Sequence, residues 1–253
     1  MYAGKRTTLS GSFNMTTISI RSAMEGMGDA NDGYYSPSFE QFCDKIEDFR
    51  QRVQAQYPQN GPNANTTPTT VNAVNPYSGD VLIPAFLSTY TMGAGSSLDI
   101  FPLLTRLLPN WTIRYAGLAK LPWVRDHFKS VNLNHAYKSV YSVGSYNSYS
   151  SWIEYMGDLG YVTATDGSLN PSSRYNIPTV SINEAFSPLL GLDVTLQNNM
   201  TFKVEYKTTR VLTLSMTSVQ VNEALSKEWV IGMGYKISNF NIFGSGSSRC
   251  WPN

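Results

Sequence analysis

Residues 200–217, Met200-Thr-Phe-Lys-Val-Glu-Tyr-Lys-Thr-Thr-Arg-Val-Leu-Thr-Leu-Ser-Met-Thr217, alternate between apolar and polar side chains. Even positions are apolar except Thr208 and Arg210, and odd positions are polar except Val211. This period of two is typical of a β-strand with two unlike faces. Fully extended, the stretch covers roughly 55 Å, whereas most strands of globular proteins have about five or six residues. The length favours a barrel strand that crosses a bilayer and continues beyond it.

The segment before it predicts a partner strand. Its apolar residues again share one parity: Val180, Ile182, Phe186, Leu190, Leu192, Val194 and Leu196. Glu184 and Pro188 interrupt this parity. Asn198 and Asn199 then separate the two strands, and asparagine tolerates the positive φ that a tight hairpin turn requires. The sequence therefore predicts an antiparallel hairpin.

Four further stretches alternate, at 9–20, 111–116, 131–143 and 229–236; in the last, Trp229, Ile231, Met233 and Tyr235 share a parity. The connections are long at 22–110, short at 118–129, long at 149–177, and short at the Asn-Asn turn; a short one at 223–227 departs from this order. Outer-membrane barrels alternate short turns with long loops in this way.

The expected fold class is all-β, with antiparallel strands forming part of a very large transmembrane barrel. The smallest closed barrels have about eight strands, so six strands predict that residues 1–253 are a fragment of one barrel domain. The absence of an apolar leader after Met1 and the patternless tail at 244–253 favour the same interpretation.

One short helix, 37–57, is predicted in the loop 22–110, which we place outside the cell. Ser36 or Ser38 can cap the helix and Pro37 suits its first turn. Its apolar residues recur at helical spacing: Phe39, Phe42, Ile46, Phe49 and Val53. Residues 58–76 are rich in Asn, Pro, Thr and Gly, which predicts irregular loop.

The composition of the chain is not that of a nucleic-acid-binding protein. The net charge is +1, and only 15% of the 253 residues are charged, against about 25% in typical domains. Aromatic residues make up 13%, and 16 of them are Tyr. Few charges and many aromatics fit a surface that meets something other than bulk water, and no nucleic-acid partner is expected.

No arrangement of reactive side chains indicates an enzyme. His127 lies beside Asp126 in a predicted turn, and His135 shares the apolar parity of its strand, so both are expected to be structural. Cys43 and Cys250 have no metal-ligand spacing. We predict no catalytic, metal-binding or cofactor-binding residue.

The two strand faces define the candidate functional residues. The polar parity is predicted to face the lumen: Asp193, Lys203, Glu205, Lys207, Thr209 and Thr213. The apolar parity is predicted to face lipid: Leu192, Val194, Phe202, Val204, Leu212 and Leu214. The mixed polar set suits a water-filled passage for varied polypeptide, and it equally suits an interior wall that is only solvated. An anion or sugar channel favours rings of one charge sign.

Several long stretches resemble the carboxy-terminal part of the SprA/Sov family of outer-membrane translocons of the type IX secretion system. They are PYSGDVLIPAF (76–86), LPNWTIRYAGL (108–118), FKSVNLNHAYKSVYSVGS (128–145), VSINEAFSPLLG (180–191), SMTSVQVNEA (215–224) and GMGY (232–235). Together they extend over most of the chain from 72 to 243. The family continues into further strands after Gly244, where this sequence has only its short tail.

The resemblance implies a giant barrel in the outer membrane of Bacteroidota that exports folded cargo proteins and supports gliding motility in some species. It also implies a plug protein and a smaller, cargo-collecting barrel as partners. Two alternatives stay open: a small-solute porin or nutrient receptor, and a secreted β-sandwich that serves as a binding or adhesin domain.

Overall fold

The computed structural model describes residues 9–20, 25, 28–57, 71–92, 97–102, 109–156 and 159–237. The predicted tail at 244–253, Cys250 and most of the loop predicted at 58–76 lie outside these residues. Within them the chain is mostly antiparallel β-sheet with few helices, which confirms the all-β prediction. Among the described helices, none combines the length and apolar character needed to cross a bilayer.

Within the described residues, ten strands form two sheets. They are β1 (Ser10–Thr16), β2 (Trp111–Tyr115), β3 (Phe128–Ser148), β4 (Trp152–Met156), β5 (Leu159–Thr163), β6 (Leu169–Ser173), β7 (Tyr175–Asn176), β8 (Thr179–Leu196), β9 (Met200–Ser215) and β10 (Gln220–Tyr235). The main sheet has the order β1-β3-β8-β9-β10, with β2 and β7 also paired to β3. Strands β4, β5 and β6 form the second sheet.

The main sheet is built on unusually long strands. Strand β3 has 21 residues, β8 has 18, and β9 and β10 have 16 each. The predicted hairpin between β8 and β9 is present: Asn199 has φ 66° and its amide donates to the Leu196 carbonyl. The prediction of a long β9 and of an asparagine turn before it is confirmed.

Strand β10 begins earlier than the sequence indicated. Residues 216–219 form the turn between β9 and β10, and Val219 adopts φ 52°. The connection predicted at 223–227 is therefore wrong. The charged residues of that segment made it resemble a loop in the sequence. In the structure they belong to the strand, where Glu223 forms an ion pair with Arg210 of the neighbouring β9.

Two helices of more than two turns are described, α1 (Pro37–Gln54) and α2 (Gly79–Tyr90). Helix α1 begins where it was predicted and ends at Gln54, three residues before the predicted end at 57. The Ser36 hydroxyl accepts the Phe39 amide, and Phe42, Phe49 and Val53 are buried. A 3₁₀ turn (Gly117–Lys120) and the four-residue α3 (Pro122–Arg125) follow later in the chain.

Helix α2 was not predicted, so the expectation of one helix in the long loop is wrong. Every residue from Val81 to Leu87 is buried. A helix that is apolar on all sides shows no 3.6-residue period, and Pro84 lies inside it. The small sheet was missed for a related reason: its five-residue strands are too short to show alternation, and the stretch 149–177 resembled a loop.

The chain divides into two compact units. The first comprises 1–111, 137–186 and 208–227, and the second comprises 112–136, 187–207 and 228–253. The first contains α1, α2 and the small sheet. Its core joins apolar residues of these elements to residues of the long strands, including Tyr141, Ile182, Leu212 and Leu214.

Candidate functional site

The polar face of β9 carries an ion-paired row in the second unit. Glu205 is 7% exposed and accepts from Lys203 Nζ at 2.8 Å and Lys207 Nζ at 3.4 Å. On β8, Asp193 accepts from the Asn134 amide at 2.5 Å. The charges therefore alternate in sign and neutralise one another instead of forming a ring of one sign.

Glycines of β10 lie along the same polar face. A Cβ added at Gly232 would lie 3.6 Å from Lys203 Cβ, and one added at Gly234 would lie 2.8 Å from Thr201 Oγ1. The Thr201 hydroxyl also donates to the Gly234 carbonyl. The even residues of β10 thus share a face with the odd residues of β9. The other two predicted lumen-facing residues, Thr209 and Thr213, are half-buried in the first unit.

The opposite face of β10 in the second unit is exposed and apolar. Trp229, Ile231, Met233 and Tyr235 are 68%, 77%, 73% and 65% exposed. The Trp229 ring lies 4.8 Å from that of Tyr206, which places these residues on the same face as the even residues of β9. Phe202 and Val204 are also exposed there. The result is a two-strand apolar surface bounded by aromatic rings.

The exposed apolar surface of β10 is bounded by an aromatic residue at each end. Trp229 and Tyr235 are six residues apart, which is roughly 20 Å along an extended strand. Membrane barrels carry an apolar band about 25 Å tall, with aromatic residues at both edges. Other large apolar residues are exposed elsewhere in the second unit: Ile113, Tyr115, Leu121, Trp123 and Leu190. Exposed apolar surface of this extent marks a site of interaction.

Two of the residues predicted to face lipid do not. Leu212 and Leu214 are each 1% exposed and belong to the core that contains Leu82 and Phe86 of α2. They are covered by protein, so their assignment to a lipid-facing surface is wrong. Sequence alternation identifies the apolar face but not what covers it. Leu192 and Val194 are half-buried in the second unit, and their assignment stays a prediction.

Arg210 interrupts the apolar parity of β9 because it has partners within the first unit. Its Nε donates to Glu223 Oε1 at 2.6 Å, and its guanidinium carbon lies 5.9 Å from the centre of the Tyr90 ring. Burial raises the pKa of the Tyr90 phenol, which therefore stays neutral. The buried cation is balanced by a carboxylate and an aromatic face, which is how an interior arginine is stabilised.

We expect Glu223→Ala to destabilise the first unit by about 3 kcal/mol, because the substitution removes the carboxylate that accepts from the buried Arg210 guanidinium. Glu47→Ala, which breaks the exposed pair of Glu47 with Arg50, is expected to cost less than about 1 kcal/mol. Urea unfolding of both variants measures the difference. Equal costs for the two changes would contradict a stabilising role for the Arg210–Glu223 pair.

Glu184, which interrupts the apolar parity of β8, is also explained by a partner. The Tyr137 hydroxyl donates to Glu184 Oε1 at 2.6 Å, and the backbone amide of Ser19 donates to the Tyr137 oxygen at 2.8 Å. The Tyr137 ring stacks on Trp111 at 4.4 Å. Glu184 is enclosed, with 2% of its surface exposed. The cluster links four segments of the chain within the first unit.

The two histidines contact backbone carbonyls. His127 Nδ1 lies 3.1 Å from the Trp123 oxygen, and His135 Nδ1 lies 2.7 Å from the Leu189 oxygen. Cys43 is exposed on α1. In the part of the chain that the structure describes, no group of three His, Cys, Asp or Glu residues could hold a metal ion.

The apolar residues of β10 are the functional candidates that sequence reasoning missed. Their alternation predicted a strand at 229–236 but gave no assignment to either side of the sheet. The ring contact between Tyr206 and Trp229 supplies that assignment. Neither the protein-family models nor the curated proteins compared with this chain gave a match.

Proposed function

We propose that this chain is a segment of a protein-conducting β-barrel of the outer membrane that exports folded cargo by type IX secretion and is linked to gliding motility. The observation that carries the proposal is the exposed apolar surface of the second unit, which has a polar face on the other side of the same strands. In water such a surface is unfavourable, whereas in a bilayer it is the expected exterior of a barrel wall.

The long strands support a membrane location. In hydrocarbon every backbone N–H and C=O must find a partner, so a sheet can cross only as part of a closed barrel. A membrane strand needs about 9–11 residues, and β3, β8, β9 and β10 have between 16 and 21. The surplus suits a wall that extends past the bilayer.

The polar face favours transport of polypeptide over a small charged solute. Lys203, Glu205 and Lys207 neutralise one another along β9, so the face offers no ring of one sign to select an ion. A hydrated surface whose charges are balanced binds no particular polypeptide sequence strongly, so it suits the passage of varied cargo proteins. The resemblance to the SprA/Sov family agrees with this choice and suggests a plug protein and a small collecting barrel as partners.

Site-specific photo-crosslinking in cells that produce the intact protein tests the proposal. With a benzophenone side chain in place of Lys203, we expect crosslinks to exported cargo, because this position is on the wet face and 48% of its side chain is exposed. The same group in place of Met233, on the apolar face, is expected to give no cargo crosslinks. Mass spectrometry identifies the products.

Three outcomes would contradict the proposal. Cargo crosslinks from position 233 but not from 203 would reverse the two faces. No protein crosslinks from 203 during active secretion would favour a small-solute porin or receptor. Recovery of the protein in the culture medium instead of the outer membrane would favour a secreted binding domain.

A further inference from the structure

A groove in the first unit lies beside strand β6 and the segment that precedes α2. Its volume is about 580 Å³, within the range of about 300–1,000 Å³ for ligand pockets. Val71 bridges Leu169 of β6, and the Asn72 amide donates to Asn170 Oδ1 at 2.6 Å. Hydrogen bonds therefore hold the two walls together without a ligand.

The described residues that line the groove include no charged side chain. Six of them are asparagines or serines, which offer amides or hydroxyls: Asn75, Ser78, Asn170, Ser172, Ser173 and Asn176. Three offer aromatic rings: Tyr77, Tyr149 and Tyr175. An anionic or cationic ligand would find no counter-charge here, and a wholly apolar one would strip water from the amides. The lining favours a neutral ligand with many hydroxyl groups.

Two of the three tyrosine rings in the groove are exposed, and the third is held by neighbouring rings. Tyr77 and Tyr149 are 55% and 41% exposed, so their rings are open to a ligand. Tyr175 is fixed by ring contacts with Phe101 at 5.4 Å and Tyr146 at 5.2 Å.

We propose that this groove binds neutral carbohydrate. Sugar rings present apolar C–H faces that pack on tyrosine rings, and hydroxyl pairs that match the donor and acceptor of an asparagine amide. An extended peptide would instead need a free strand edge for backbone pairing. Segment 71–72 already pairs with the first residue of β6, Leu169, and Pro171 in the middle of this short strand has no backbone N–H to donate to a peptide. The inference rests on the first unit alone and does not depend on the membrane proposal.

Isothermal titration of the purified intact protein tests the groove. The probes are cellohexaose, mannohexaose, chitohexaose and, as an anionic comparison, a heparin hexasaccharide. We expect at least one neutral probe to bind more tightly than the heparin fragment. The double variant Tyr77→Ala/Tyr149→Ala is expected to weaken that binding about tenfold or more, which corresponds to about 1.4 kcal/mol.

Tyr34→Ala is the matched control, because Tyr34 is 73% exposed and does not line the groove. Asn176→Ala removes one exposed amide and should also weaken binding while leaving the thermal unfolding midpoint unchanged. The proposal is overturned if no neutral probe binds, if heparin binds best, or if Tyr34→Ala matches the double variant. Displacement of the bound sugar by an unstructured peptide of exported cargo would show that the groove is a peptide site.

Discussion

Ile231→Arg is expected to block assembly of this protein into the outer membrane. Ile231 is 77% exposed, and for a side chain that faces water such a substitution changes stability by no more than about 0.5 kcal/mol. On the lipid face of a barrel, an arginine at mid-bilayer costs about 2–4 kcal/mol. The substitution is therefore expected to have little effect if Ile231 faces water and to prevent assembly if it faces lipid, so it tests directly what covers the apolar surface.

Val230→Arg is the matched control. Val230 precedes Ile231 and lies on the face of β10 that carries Gly232 and Gly234, next to the polar row of β9. An arginine there points to the wet side and should be tolerated. Assembly is measured by outer-membrane fractionation and by resistance of the folded barrel to heat in detergent. Normal assembly of both variants would argue against lipid on the apolar face.

Phe86→Ala is expected to destabilise the first unit by about 3–5 kcal/mol, the usual cost of a large-to-small change at an enclosed aromatic. Phe86 is 0% exposed, and its ring lies 5.0 Å from that of Tyr90 and 6.2 Å from that of Phe42. The surrounding side chains cannot collapse freely because they belong to two packed helices. Chemical unfolding, with the slope checked for two-state behaviour, measures the change.

Phe39→Ala provides the comparison for that core. Phe39 is on the same apolar stripe of α1 but is 46% exposed, so its truncation removes fewer contacts. We expect a cost below about 1 kcal/mol for this variant. If Phe86→Ala cost no more than Phe39→Ala, then α2 would not be the centre of a packed core, and the burial of Leu212 and Leu214 beneath it would lose its explanation.

The apolar parity of β9 meets two different environments. Phe202 and Val204 are exposed in the second unit, whereas Leu212 and Leu214 are enclosed in the core of the first. Under the membrane proposal, lipid covers the former and the helices cover the latter. This arrangement allows one strand to keep its alternation over its whole length while only part of it contacts hydrocarbon.

Local sequence determined the long strands, the asparagine hairpin and helix α1, because each depends on a periodic pattern or a turn residue within a few positions. For the residues predicted to face lipid, the sequence defined only that they share one apolar face of the sheet. Leu212 and Phe202 belong to the same alternating pattern. Leu212 is enclosed in a core that includes helix α2, which is far away in the sequence, whereas Phe202 is exposed. Likewise Arg210 and Glu184 appeared as breaks in alternation until their partners Glu223 and Tyr137 were located.

By itself, the sequence established an all-β chain with long two-faced strands, since side-chain alternation follows directly from extended backbone geometry. Only the tertiary structure revealed helix α2, the small sheet, the neutral groove and the exposed surface of β10. Each of these depends on which distant residues meet, and neither a period of two nor a period of 3.6 records contacts across the chain.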